Sequence, residues 1–271
     1  MPLIRPRAAH AFLLTLALAP GAGADSVTLP AAKDNTLYQH VTGFMSNGAG
    51  QYMIAGRTNN ADLRRAVIEF DIAGAIPAGS TINSVTLRLR MSRTIAGGQP
   101  VRVYRLLREW GEGASDASGE EGVGAAAMPG DATWIHTFWP GEFWTNAGGD
   151  YDPTVRATTT VGGIGFYTWT SSGLTADVQA WLADPSTNHG WVLICNETTQ
   201  PSAKRFDSRQ NPTAANRPQL IIDFTPPPPC PGDLDGDNDT DTTDLNILLS
   251  GFGCPGPTGC VGDLDGDGDT D

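Results

Sequence analysis

The densest chemistry in the sequence is a set of aspartates at its C-terminal end. Cys-Pro-Gly-Asp-Leu-Asp-Gly-Asp-Asn-Asp-Thr-Asp, starting at Cys230, returns from Cys260 as Cys-Val-Gly-Asp-Leu-Asp-Gly-Asp-Gly-Asp-Thr-Asp, identical at ten of twelve positions with a period of 30. In the first copy Asp233, Asp235, Asp237, Asp241 and Asp244 stand at positions 1, 3, 5, 9 and 12 of a loop. Asp239, at position 7, is placed to offer its backbone carbonyl. Oxygen donors at this spacing wrap a hard divalent cation, and a flexible all-oxygen loop suits calcium better than the smaller, stricter magnesium. Position 6, where such a loop needs φ > 0, is Asn238 in one copy and Gly268 in the other, both residues that tolerate it. The second copy offers Asp263, Asp265, Asp267, Asp269 and Asp271 and stops before a twelfth position, so its site is expected to be incomplete.

A second group of residues has the chemistry of sugar recognition. Trp110, Trp134, Trp139, Trp144 and Tyr151 offer flat apolar faces, and Arg88, Arg90, Arg102, Arg105 and Arg108 offer hydrogen-bond donors to hydroxyls or carboxylates. Large aromatics also fill cores, and Trp110, Trp134, Trp144, Trp181 and Trp191 are expected there. Trp139, in Phe138-Trp139-Pro140-Gly141, has the surroundings of an exposed loop tip. In Val85 to Met91 the apolar residues alternate with Arg88 and Arg90, and in Val101 to Leu106 Arg102 and Tyr104 share the face opposite Val101, Val103 and Arg105. Arg88, Arg90, Arg102, Tyr104 and Trp139 are therefore the candidate ligand-binding residues; a solvated sheet face would show the same arginines.

Catalytic signatures are missing. The acid pairs Glu109 with Glu112 and Asp150 with Asp152 have no spacing that demands catalysis, and His40, His136 and His189 are isolated, with no HExxH or GxSxG motif. The expectation is a non-catalytic protein.

These residues sit in two unlike parts. The segment from Pro231 to Asp271 has eleven aspartates and no Lys, Arg or His, whereas Asp25 to Cys230 balances 15 basic against 19 acidic residues. The net charge of −13 is thus concentrated at one end, which argues against nucleic acid as a partner and for a cation. The border is the run Pro226 to Pro229, a stiff extended linker. Before it, Arg5 and Arg7, the apolar run Ala11 to Pro20 and Ala22-Gly23-Ala24 have the layout of a signal peptide over 1–24. Secretion to the exterior or cell surface follows, with no later apolar run long enough to span a membrane.

Residues 25–225 carry alternating segments at Ala66–Phe70, Val85–Met91 and Val101–Leu106. Further strand candidates lie at Thr36–His40, Gln51–Ala55, Phe166–Thr170, Gly190–Ile194, Ala203–Asp207 and Gln219–Phe224. One short helix is expected over Thr175–Leu182 and another over Asp244–Ser250, the latter with Leu245, Leu248 and Leu249 on one face. The architecture expected is all-β, a sandwich followed by a small helical calcium-loop segment at 230–271.

The segments LRRAVIEFDIAGAIPAGSTINSVTLRLRM, VRVYRLLREWGEG, ATWIHTFWPGEFWTNAGGDYD, DVQAWLADPSTNHGWVLI and KRFDSRQNPTAANRPQLIIDF, in this order, resemble a DNRLRE domain. That family is a jelly-roll β-sandwich related to carbohydrate-binding modules, and the resemblance implies binding of a polysaccharide, acidic or neutral. The aspartate loop, with Gly236 at position 4 and Asp244 rather than Glu at position 12, resembles a dockerin type I repeat, an EF-hand-like loop followed by one helix. This implies a cohesin-type partner read by Thr242 and Thr243, or else a calcium-stiffened spacer. A structural or adhesive protein without a glycan, or part of a larger polysaccharide-degrading enzyme, stays open as an alternative.

Four cysteines allow three complete pairings. Cys195, in a core strand, is expected to stay free, and Cys230 to pair with Cys254 or Cys260 around the first loop. With so little apolar sequence to bury, that loop is expected to fold only with its metal, and the sandwich without one.

Overall fold

The computed structural model describes residues 23–227, 232–235 and 240–251. Contacts divide the chain into two units with the border between Pro227 and Pro228. The signal-peptide segment, the cysteines after Cys195 and the second aspartate copy lie outside the described residues.

The larger unit is an all-β sandwich. In chain order its strands are β1 (Asp25–Pro30), β2 (Lys33–Tyr38), β3 (Met45–Ser46), β4 (Tyr52–Arg57), β5 (Leu63–Glu69), β6 (Thr81–Thr94) and β7 (Gln99–Arg105). They continue with β8 (Ala125–Ala126), β9 (His136–Phe138), β10 (Glu142–Phe143), β11 (Ala157–Val161) and β12 (Gly165–Thr170). Helix α1 (Ser172–Ala183) precedes β13 (Trp191–Cys195), β14 (Lys204–Asp207) and β15 (Gln219–Thr225). Eleven of these strands form one curled antiparallel sheet folded into two layers. In the first layer β6 is flanked by β12 on one side and by β15 and β14 on the other, with β1 and β4 outermost. The second layer runs β2, β5, β13, β7, β11.

The alternation in β6 fixes which residues face inward. Val85, Leu87, Leu89 and Met91 are fully buried, while Thr86, Arg88 and Arg90 keep partial exposure. The inward residues meet Ala66, Ile68, Val101, Val103, Trp191, Leu193, Phe206, Leu220 and Ile222 in the core between the layers. Trp181, Val178 and Leu174 of α1 join that core, and Gln179 ties the helix to the start of β6 by accepting from Ile82 N at 2.8 Å and donating to Ser80 O at 3.1 Å. The helix begins three residues before Thr175 because Ser171 caps it, its hydroxyl accepting from Leu174 N at 3.1 Å.

Two places let the chain pass between layers. Tyr52–Ala55 of β4 pair with β14, whereas Gly56 and Arg57 pair with β5. Gly56 has φ +118, and a Cβ there would lie 2.9 Å from Ala203 Cα, so glycine is required at the crossing. At the β6–β7 connection, Lys204 is wholly buried, its ammonium donating to Thr94 Oγ1 (2.8 Å), Ala96 O (2.9 Å) and Gly97 O (2.6 Å). A buried lysine is tolerated when such acceptors replace its water shell.

A second core lies on the far face of the second layer. Leu37, Val67, Val192 and Ile194 point away from the first core and are covered by Trp110, Ala132, Trp134 and Trp144 from the segment between β7 and β11. All five tryptophans assigned to cores are buried.

In the smaller unit, α2 (Thr242–Gly251) starts two residues before the helix expected from Asp244. Asp241 explains this: its carboxylate accepts from Thr243 N at 2.6 Å and its carbonyl from Leu245 N at 3.2 Å, the work of an N-cap.

Candidate functional site

The aspartate loop brings Asp233, Asp235 and Asp244 together, with one carboxylate oxygen of each within 4.8 Å of the others. Among the described residues this group is the one arrangement of acids, histidines or cysteines able to hold a metal ion. Asp244 is placed by backbone: its Oδ1 accepts from Leu234 N and its Oδ2 from Asp241 N, each at 2.7 Å. These amide donors, together with its place in the first turn of α2, hold its carboxyl below the usual aspartate range. Three carboxylates so close repel one another, and a cation among them removes the repulsion. Asp241 is exposed, as are Thr242 and Thr243 at the start of α2. Asp237, Asp239, Asp263, Asp265, Asp267, Asp269 and Asp271 lie outside the described residues.

The sugar-type candidates do not form one surface. Arg88 and Arg90 lie on the outer face of the first layer, and Arg102 and Tyr104 on β7 in the second. Arg88 lays its guanidinium 3.7 Å from the ring centre of Phe166 and donates to Gln219 Oε1 at 2.6 Å. Arg90 pairs with the buried Asp207 at 2.9 Å. Further along the same face, Arg205 stacks 3.6 Å from the Tyr52 ring centre and donates to Ser92 Oγ at 3.2 Å. The first layer thus carries a row of arginines, two of them seated on aromatic rings, with Phe166 44% exposed.

Arg102 is half-buried between Thr158 and Ile194 by register. Tyr104 packs on Tyr151 with ring centres 5.2 Å apart, and burial pushes its hydroxyl pKa up. Its face is the one roofed by the β7–β11 segment, and Tyr104 and Tyr151 are partly buried against the second core rather than standing on an open sheet. Trp139, at the turn between β9 and β10, is half-buried, with its backbone bonded to Asp131 O and Gly130 N. It is less of a free platform than its neighbours in sequence suggest, and Phe143, 54% exposed, stands out further. Phe166, Tyr52 and Arg205 were not singled out from sequence. The alternation of Phe166 and Thr168 against the buried Trp169 was the available signal for the first.

No model of a known protein family matches the chain, and no curated protein does.

The acid pairs considered for glycoside cleavage have local duties. Glu112 receives Arg209 through both oxygens at 2.6 and 2.7 Å, and Glu109 meets Lys33 and, at 3.1 Å, His189. Asp150 accepts from the amides of Thr145 and Asn146, and Asp152 from Thr154 N and Arg156. Arg105 turns inward toward Asp177 and the Trp181 ring, on the face opposite Tyr104. Cys195 is buried and free, its thiol reaching Ser202 O at 3.3 Å, with a pKa raised by desolvation.

Proposed function

We propose that this chain is a secreted, non-catalytic polysaccharide-binding protein in which a sandwich of the DNRLRE kind holds the glycan and a dockerin-like calcium loop provides attachment. The observation that carries the binding reading is the row on the outer face of the first layer, where Arg88 lies on Phe166 and Arg205 on Tyr52 with Arg90 between them. The exposed part of Phe166 offers apolar surface to a pyranose, and guanidiniums fixed over aromatic rings are pre-organised donors to hydroxyls and carboxylates. For the loop, an all-oxygen set built on Asp233, Asp235 and Asp244 favours calcium, and Asp244, Thr242 and Thr243 lie together at the start of α2 for a protein partner such as a cohesin to meet.

Affinity electrophoresis of the chain in gels containing alginate, pectin or xylan tests the binding reading. Retardation in at least one gel, reduced by Arg88→Gln and by Phe166→Ala, is the expected result. A second reading, a structural or adhesive protein without a glycan ligand, draws on the internal partners of Arg88 and Arg90, Gln219 and Asp207. Migration unchanged in every gel would favour it.

A further inference from the structure

Where the β4–β5 turn, the end of β6 and the loop around Glu120 meet, the sandwich opens a cleft of about 370 Å³. Its floor and sides bring together Arg64, Arg93 and Arg205, opposed by Asp62 and Glu120. Ile95 and Val123, 44% and 74% exposed, form apolar walls.

The arrangement of Glu120 suggests what the cleft would hold. Arg93 meets Glu120 Oε1 at 2.7 Å and Arg205 meets Oε2, so two guanidiniums converge on a single carboxylate. Arg205 is held there by the Tyr52 ring and Ser92. The glutamate is itself more than half exposed. Its neighbour Glu121 is its opposite: buried, at φ +59, with its carboxylate accepting from Asn47 Nδ2 (2.7 Å), Gln51 N (3.0 Å) and Tyr52 N (2.9 Å). Tyr38 also donates to Glu121 O at 2.7 Å. A non-glycine residue at positive φ is strained and persists where its surroundings over-determine it. Glu121 therefore fixes the backbone, and Glu120 projects from that anchor onto the arginine pair. Exposed ion pairs of this kind contribute little net stability, so another carboxylate can replace Glu120 at small cost.

We propose that this cleft is a subsite for the carboxylate of an acidic sugar residue, and that Glu120 is a built-in competitor occupying the carboxylate position until such a ligand displaces it. The proposal rests on the glycan-binding reading and adds a place and a selectivity device to it. The cleft opens beside the arginine row, since Arg205 belongs to both, which lets one polymer run along the face and end in the cleft.

Calorimetric titration of the full chain with trigalacturonate and with its methyl ester tests this, using wild type, Glu120→Gln and Arg93→Gln. Glu120 and Arg93 are both surface residues, so these variants keep the fold. Removing the competing charge is expected to tighten trigalacturonate binding by a few fold, roughly fivefold at most given how little an exposed ion pair contributes, and to leave the ester unchanged. Arg93→Gln is expected to weaken the acid only. No gain in Glu120→Gln, an equal gain for the ester, or an equal affinity for triglutamate would overturn the proposal. If wild type is retarded by polysaccharide gels while Glu120→Gln shows no gain, the cleft proposal fails alone; if no variant binds any sugar, both fail.

Discussion

The sandwich and the aspartate loop solve the same problem with opposite materials. The sandwich buries Trp169, Trp181, Trp191, Phe206 and the inward row of β6, so apolar area removed from water offsets the entropy of ordering its chain. The loop unit has two exposed leucines, Leu245 and Leu249, on its helix and three carboxylates within 4.8 Å. A cation held among these carboxylates would remove their repulsion, so this unit is expected to depend on one. Charge is arranged differently too: the sandwich surrounds buried Lys204 with carbonyls and a hydroxyl of its own chain, whereas the loop gathers three carboxylates of one sign, with Asp244 held by backbone amides. A fold built on apolar burial is expected to stand without a metal, and one that gathers like charges is expected to respond to one.

The largest effect expected is on the sandwich core. Trp191 is fully buried, lies 4.7 Å from Trp181 and donates to Asp177 at 2.9 Å. Trp191→Ala should cost about 3–5 kcal/mol, read as a lower melting temperature that calcium does not restore. The loop responds the other way. Asp244→Ala should abolish calcium-dependent helix formation by α2, forfeiting up to about 4 kcal/mol of mass-action stabilisation at a thousandfold excess over Kd, and leave the sandwich transition where it was.

A third prediction sharpens the contrast through pH. Asp34 is buried, and desolvation raises its pKa to about 8 against 3.8 in water, so the folded sandwich keeps a proton that the unfolded chain has lost at neutral pH. The stabilisation is complete below the unfolded value and is lost as pH rises toward the folded one. Over that window stability falls by up to ~1.4 kcal/mol per pH unit from this group. Asp34→Asn should flatten the slope between pH 4 and 8 and raise the melting temperature at pH 8; a variant less stable than wild type at pH 8 would mean that Asp34 works ionised. The smallest effect belongs to the arginine row, where Arg88→Gln should weaken polysaccharide retardation by a few fold, about 1 kcal/mol, without shifting the melting temperature.

Much of this was legible in the sequence where periodicity and spacing carry the information. Alternation in Val85–Met91 separates the buried residues from Arg88 and Arg90, and the spacing of Asp233, Asp235 and Asp244 anticipates their convergence. Alternation says which face a side chain takes but not which layer its strand joins. Arg88 and Arg102 therefore fall on different layers even though β6 and β7 are consecutive, because the connection after Thr94 crosses the sandwich. The segment from Leu106 to Arg156, with few regular strands, gave no periodic signal that it would roof the second layer and partly bury Tyr104 against the second core. Lys204 looks like a surface lysine until the carbonyls of Ala96 and Gly97 are seen around it. Of the candidate site, the aspartates were visible from sequence and the alternation around Trp169 turns Phe166 outward, while the seating of Arg88 on Phe166, of Arg205 on Tyr52 and the Glu120 cleft depend on cross-strand neighbours that no local pattern encodes.

The contrast between the two units is tested most directly by hydrogen exchange of the full chain in calcium and in EDTA. Amides of α2 should be protected in millimolar calcium and exchange at near-unfolded rates in EDTA, while those of β6 and β13 keep the same protection in both. Protection of α2 that survives EDTA, or protection of β6 and β13 that depends on calcium, would contradict the account.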